Sequence, residues 1–278
     1  MNFLQIKLIA LDLDGTALQD DHRSVSGKLK QSIAAAAARG IPVVVASGRI
    51  SSFLPQAVVS IPQIDWAVTS NGAVLYSVKE KRAVSGEYIP PEDAAWVLRQ
   101  LPPGMWAEVW SRGKIYIARD KWRRVRQYPL LPLHRAALDE LGAEAENLFS
   151  LLEGGAADVE KINIPLLTPP ETEKIRKLLS GRRKYSLVNE GRGIEIMKAG
   201  VSKAEGLRDV CRHLPGAEMQ NILAIGDSEN DIEMLRECGL GVAMGNAAGC
   251  VKAASDAVTL GNSEDGAALA IEKYALSE

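Results

Sequence analysis

The sequence predicts an α/β protein with a parallel-sheet core, covered on both faces and interrupted by an inserted α+β domain. Two observations carry this. Short apolar, β-branched runs alternate with helix patterns at both ends of the chain, and the middle switches to helices followed by hairpins.

The first three strand patterns are "IKLIALD" (6–12), "IPVVVASG" (41–48) and "WAVTSNG" (66–72), each closed by small or polar residues. Their near-continuous apolar character is that of strands buried on both faces. Between the first two lies "SGKLKQSIAAAAARG". Ser26 is placed to cap this helix, the alanine run propagates it, and Gly40 stands where a helix stops.

The same grammar returns late in the chain. "SKAEGLRDVCRHL" sets Ser202 and Glu205 at capping-box spacing, with Leu207, Val210, Cys211 and Leu214 forming an apolar stripe. "NILAIGD" (221–227) is a buried strand, "NDIEMLRECG" a helix closed by Gly239, and "LGVAMG" (240–245) and "DAVTL" (256–260) are further short strands.

In the middle, "MWAEVWSRGKIYIAR" (105–119) predicts a hairpin turning at Arg112-Gly113. "KYSLVNEGRGIEIM" (184–197) predicts another, turning at Gly191-Arg192-Gly193. Each follows a helix opening on Pro-Pro-Glu, "PPEDAAWVLRQL" and "PPETEKIRKLL", an internal repeat or simply a good helix start. The expected division is a core of residues 1–82 and 190–278 with residues 83–189 inserted.

Bulk properties set limits. The chain has 278 residues, 46% hydrophobic and 24% charged, with net charge −2, which gives no general pull toward nucleic acid or an anionic membrane. Three cysteines without a C-x-x-C pair, and three scattered histidines, indicate neither a disulfide framework nor a zinc site. Lys7, Asp12 and Asp14 interrupt the first apolar run too early for a secretory signal, and no run approaches the ~18 apolar residues of a membrane span. A cytoplasmic protein is expected, without nucleic-acid or membrane partners; its oligomeric state is open.

"ALDLDGT" (10–16) ends a buried strand on two aspartates. At strand spacing Asp12 and Asp14 would point the same way, into the ligand-binding end of a parallel sheet, and Gly15 would allow a tight turn. An ordinary Asp-Gly turn is the alternative reading of this stretch alone. "GDSENDIEML" (226–235) weakens it: Asp227 also ends a buried strand, and Asn230 and Asp231 follow. If the two strands are neighbours, several acids converge, and an all-oxygen site of this kind suits Mg²⁺. Ser47 and Gly48 of "ASGR" could donate to phosphate oxygens, although a turn serine would look the same. Lys203, at the first position of its capped helix, is placed near an anion, with a solvated surface lysine as the alternative.

The order "DLDGT", "SGR", "SK", "GDSEND" resembles the haloacid dehalogenase superfamily of phosphohydrolases, and its Cof-type sugar phosphatases in particular. "SNGA" (70–73), "IEIMKAGVSKAEGL" (194–207), "VAMGNA" (242–247) and "NSEDG" (262–266) match that branch. The resemblance covers roughly the first 80 and the last 85 residues. It implies a Rossmann-like core of the haloacid dehalogenase fold with an inserted type II α/β cap that sets substrate specificity.

It also implies a chemistry: Mg²⁺-dependent hydrolysis of a small phosphorylated metabolite, expected to be a sugar phosphate. Asp12 would attack phosphorus and Asp14 would move protons. Asp12 and Asp227 would bind Mg²⁺ by side chain and Asp14 by its backbone carbonyl, with Asn230 and Asp231 behind them. Ser47, Gly48 and Lys203 would hold the phosphoryl group. Metal contact would keep Asp12 ionised, while crowding by like charges would raise the pKa of Asp14. Glu190 and Arg192 at the second hairpin, and Arg49, Asn71 and Gly72 on core loops, are the candidates for substrate contact. Trp96, Trp106, Trp110 and Trp122 are expected to pack inside the cap, and the basic run "RDKWRRVR" (119–126) to be a solvated face. A phosphomutase, a phosphatase of a non-sugar metabolite, and a non-catalytic phosphate- or Mg²⁺-binding or aspartyl-phosphate switch module share these motifs.

Overall fold

A computed structural model describes residues 5–155 and 158–277. The chain divides into two compact units, residues 1–85 with 202–278, and residues 86–201. In chain order the strands are β1 (Leu8–Leu11), β2 (Val43–Ala46), β3 (Trp66–Thr69), β4 (Val74–Ser77) and β5 (Arg82–Gly86). Then come β6 (Glu108–Ser111), β7 (Lys114–Ala118), β8 (Gly142–Ala145), β9 (Val159–Ile164), β10 (Tyr185–Glu190) and β11 (Gly193–Lys198). The last are β12 (Ile222–Gly226), β13 (Leu240–Ala243) and β14 (Ala257–Val258).

In the first unit β1 to β5 and β12 to β14 form one sheet, ordered β14-β13-β12-β1-β2-β3-β4-β5. From β14 to β3 neighbouring strands are parallel; β4 runs antiparallel to β3. The apolar strands are covered on both faces. Leu29 and Ile33 of helix Gly27–Ala38 and Ile271 of helix Gly266–Ala275 bury one side. Leu207 and Val210 of helix Lys203–His213, with Met234 and Leu235, bury the other. Ser26 caps the first of these helices, its hydroxyl accepting from Leu29 N at 3.0 Å, and Gly40 turns the chain afterwards at φ 74°. A fully buried leucine such as Leu207 contributes about 1.5–3 kcal/mol relative to exposure.

The second unit is a six-stranded sheet, ordered β10-β11-β9-β6-β7-β8, antiparallel except for the β7–β8 pair. The two expected hairpins, β6–β7 and β10–β11, flank β9. Arg112 and Gly113, both left-handed at φ 49° and 75°, make the first turn. One sheet face is aliphatic, with Val109, Ile162, Ile164, Ile194 and Ile196. The other carries Glu108, which is fully buried. Glu108 accepts from Trp106 Nε1 (2.9 Å), Trp110 Nε1 (3.0 Å) and Asn163 Nδ2 (2.9 Å), and pairs with His134 Nε2 (2.8 Å). Trp106 and Trp110 are therefore core residues bound to a carboxylate, and Trp96 stacks on Tyr185.

The expected boundary at residue 190 is corrected. β11 lies between β9 and β10 as a middle strand of the second sheet, so the second unit extends to Val201. β9 and β4 were not anticipated. "VEKINI" has adjacent charges, yet all six residues are buried; the Lys161 charge is met by Glu195. Among the basic residues of 119–126, Arg119 pairs with Glu144 and Arg126 with Asp139, which is the solvated face expected. No helix among the described residues is long and apolar enough to cross a membrane.

Candidate active site

β1 sits between β12 and β2, where the parallel sheet changes its direction of growth, the place where open α/β sheets bind ligands. Leu11 lies opposite Ile225, so Asp12 and Asp227 leave the sheet side by side, and Asp12 N makes the last rung to Ile225 O at 3.0 Å.

Beyond Leu11 the chain is no longer a strand. Residues Leu13–Ala17 form one wide turn, with Asp14 at φ −74°, ψ 120° and Gly15 at φ 76°. The strand geometry expected to align Asp12 and Asp14 is therefore absent, and the turn gives the two carboxylates different partners. Asp12 Oδ1 accepts from Lys203 Nζ at 2.6 Å. Asp14 is gripped by Arg49, with Nε to Oδ2 at 2.7 Å and Nη2 to Oδ1 at 2.6 Å, and meets His22 Nδ1 at 2.9 Å.

Lys203 is 1% exposed and donates a second bond to Asp231 Oδ1, also at 2.6 Å. Ser202 fixes this helix start, accepting from Glu205 N at 3.2 Å. Asp231 Oδ2 accepts from the backbone N–H groups of Asp227 (3.0 Å) and Ser228 (2.9 Å), which pins the acidic loop. Asp227 accepts from the Thr16 hydroxyl at 2.8 Å. Gly15 is needed here: its φ is positive, and a Cβ would come within 2.4 Å of Asp227 Oδ2.

Oxygens of Asp12, Asp227 and Asp231 lie within 4.8 Å of one another. Three carboxylates against one ammonium leave an excess of negative charge. Burial, followed by the Asp231 charge, pushes the Asp12 carboxyl well above the usual carboxylate range. Asp227 is raised by the same two causes. Burial disfavours the Lys203 ammonium, but Asp12 and Asp231 outweigh it and raise its pKa. Asp14 runs the opposite way from expectation: burial pushes it up, but the Arg49 and His22 bonds hold it below its ordinary value. Its hydrogen-bond partners are the Arg49 guanidinium and the His22 ring rather than other acids, so the anticipated crowding by like charges does not occur.

This donor set fits a hard divalent cation such as Mg²⁺, being entirely oxygen and short of positive charge. Asp231 is tied by Lys203 and by two backbone N–H groups, whereas Asp227 is held only by the Thr16 and Ser228 hydroxyls and Asp12 Oδ1 by Lys203. Asn230 Oδ1, on the same loop, is buried without a hydrogen-bond partner, a group that a hydrated cation would satisfy.

Ser47 and Gly48 follow β2. Ser47 is 1% exposed, and its Oγ accepts from Arg49 N at 3.1 Å. Asn71 N donates to Ser47 O at 3.0 Å, and Asn71 Oδ1 accepts from Asn230 Nδ2 at 3.0 Å. Ser70, Asn71 and Gly72 are all left-handed, at φ 51°, 58° and 107°. Such strain persists where the surroundings over-determine it. A Cβ on Gly72 would stand 2.0 Å from Ser202 O. Asn71 and Gly72 thus brace the Ser47 loop, the Asn230 loop and the Lys203 helix. Arg49 is buried and its guanidinium is occupied by Asp14, His22 O and Phe53 O, a different use from the substrate contact expected.

Glu190 and Arg192 belong to the second unit. Arg192 is exposed at the hairpin tip; the side chain of Glu190 lies outside the described residues. Sequence reasoning misses Thr16, whose signal is its place in "DGT", and His22, which no ligand spacing marks out.

A family model described as haloacid dehalogenase-like hydrolase matches residues 9–271. A 5-amino-6-(5-phospho-D-ribitylamino)uracil phosphatase of Bacillus subtilis is 30% identical over 280 residues, covering 98% of this chain and 97% of its own. A phosphoglycolate phosphatase of Methanobrevibacter smithii is 25% identical, covering 98% and 100%. Among solved structures, a haloacid dehalogenase-like hydrolase from B. subtilis superposes with TM-score 0.78 at 29% identity, covering 96% and 99%. A Bacteroides thetaiotaomicron phosphatase superposes with TM-score 0.81 at 23% identity, covering 99% and 97%, a likeness of fold.

Proposed function

The chain belongs to the haloacid dehalogenase-like hydrolases and is a phosphoric monoester hydrolase, and from that premise we propose that it hydrolyses a small phosphorylated metabolite, a sugar phosphate, through an aspartyl-phosphate on Asp12. The observation that carries the reading is the buried Asp12–Lys203–Asp231 chain beside Asp227, at the ends of adjacent parallel strands.

Asp12 Oδ attacks phosphorus as the bond to the ester oxygen breaks, and Asp14 gives that oxygen its proton. Water then attacks the phosphorus of the intermediate, Asp14 takes its proton, and Asp12 leaves as the carboxylate with inorganic phosphate released. The ionised form of Asp14 that Arg49 favours is the one this second step needs. Lys203 and Ser47 hold the transferred group, because phosphoryl transfer is mostly positioning and charge stabilisation. Asp12 and Asp227, with the backbone carbonyl of Asp14, would hold Mg²⁺, which when bound supplies charge neutralisation for the phosphoryl oxygens. Residues 86–201 are proposed to be the cap that selects the leaving group.

The test is a panel of phosphorylated metabolites with and without Mg²⁺, run beside Asp12→Asn. Turnover of sugar phosphates that needs Mg²⁺ and vanishes in a folded Asp12→Asn protein supports the reading. Turnover retained by that variant removes the nucleophile, and phosphate transferred to another sugar position would make the enzyme a mutase.

A further inference from the structure

We infer that His22 is a positioning residue for Asp14, its ring Nδ1 supplying the hydrogen bond that fixes a carboxylate Arg49 holds from another donor. The inference rests on the proposal that Asp14 moves protons.

The loop that brings His22 to Asp14 is built for the purpose. Leu18 and Val25 bridge its two arms. Gln19 N donates to Ser24 O at 3.0 Å, and His22 N to Gln19 O at 2.9 Å. Asp21 Oδ1 accepts from Arg23 N (2.9 Å) and Ser24 N (2.8 Å), closing an Asx turn at the tip. His22 itself is left-handed at φ 55°, which aims the ring back along the reversal. The base of the loop is anchored by Asn262, buried in the last part of the unit. Its Nδ2 donates to Leu18 O (3.0 Å) and Asp20 Oδ1 (3.1 Å), while Gln19 Nε2 donates to its carbonyl (3.2 Å).

The contact is closed into a ring by Arg49. Its Nη2 donates both to Asp14 Oδ1 at 2.6 Å and to the His22 carbonyl at 2.9 Å. His22 Nδ1 meets the same Oδ1 at 2.9 Å; toward ionised Asp14, which only accepts, Nδ1 carries the hydrogen. The His22 side chain is 45% exposed, so apolar packing does not hold it there. Arg49 binds both carboxylate oxygens along one edge and sets the plane of the group. A donor on another side of Oδ1 removes the remaining freedom to rock, and misplacement of a proton-transfer group is costly to rate.

The test uses the full chain with MgCl₂ and a series of phosphate monoesters, from 4-nitrophenyl phosphate to simple alkyl phosphates. His22→Gly keeps the left-handed backbone free of strain, so the loop is not the casualty. His22→Asn offers an amide N–H near the position of Nδ1 and tolerates positive φ. If His22 positions the acid, kcat/KM of His22→Gly falls about 10-fold or more on alkyl phosphates, whose leaving oxygen needs the proton, and about twofold or less on the aryl ester. His22→Asn then recovers most of the alkyl activity. A loss equal across leaving groups, no loss at all, or an Asn variant no better than Gly overturns the inference. Asp14→Asn separates the two layers: alkyl turnover surviving in it removes the proton-transfer reading, whereas its loss beside an unaffected His22→Gly removes only the role of His22.

Discussion

Lys203 Nζ lies 2.6 Å from Asp12 Oδ1, joining residues 191 apart in sequence through a bond sealed from solvent. The same ammonium holds Asp231, so one buried cation serves two buried carboxylates. Removing one partner of such a group costs far more than the intact group contributes, because a charge is left stranded.

Lys203→Met should therefore destabilise the protein by about 3–5 kcal/mol in addition to stopping turnover. Denaturant unfolding in metal-free buffer measures it. A variant as stable as the parent would mean that Asp12 and Asp231 are relieved by protonation or water.

Mg²⁺ should raise the melting temperature of the wild-type protein, with a gain of about 2.7 kcal/mol at a hundred times its dissociation constant. Asp227→Asn should lose most of this gain. Asp14→Asn should keep it, since the backbone carbonyl remains. Equal loss in the two variants would contradict the separate duties assigned to these aspartates.

Much of this site is legible in sequence for a simple reason. Asp12, Ser47 and Asp227 each follow an uninterrupted apolar strand, and Lys203 follows a helix cap, so local pattern alone brings them to the same edge of a parallel sheet. Arg49 and His22 obey no such pattern. Their partner is chosen by the turn at Gly15 and by a reversal of the chain eight residues after Asp14, which are tertiary facts. The pKa of Asp14 departs from expectation for the same reason: the sequence displays the neighbouring acids but not the Arg49 guanidinium and His22 ring folded against Asp14. β9 is hidden by the adjacent charges Glu160 and Lys161, and the burial of Lys161 depends on Glu195, 34 residues away.

Gly72→Ala should cost about 2–4 kcal/mol, combining a side chain at φ 107° with a clash on the Ser202 carbonyl. Because that carbonyl opens the Lys203 helix, kcat should fall along with stability. Thermal unfolding and a steady-state assay on one preparation check both; an unchanged melting temperature would show that the loop yields.

Glu108 predicts a pH effect in the second unit. Burial pushes its carboxyl up, but the bonds from His134, Asn163 and Trp110 outweigh it and hold the folded-state pKa below the ordinary value. The stability this contributes is present above the unfolded pKa and is lost as pH falls through the folded one. Glu108→Gln should lower stability at neutral pH by about 1–3 kcal/mol and flatten the decline below about pH 4.5. Urea unfolding from pH 7 to pH 3 reads this directly, and parallel curves for the two proteins would count against it.

The second unit leaves the first after Ser85 and returns at Ser202, one residue before Lys203. Ser85 is hydrogen-bonded to Asp209, on the helix that Lys203 begins, so both points of departure are tied to a single rod of the first unit. Asp12, Lys203, Asp227 and Asp231 all belong to the first unit. The insert is in this sense a replaceable cassette. With the substrate choice proposed for it, evolution or an engineer could rewrite that preference while the machinery that breaks the phosphate ester is inherited unchanged.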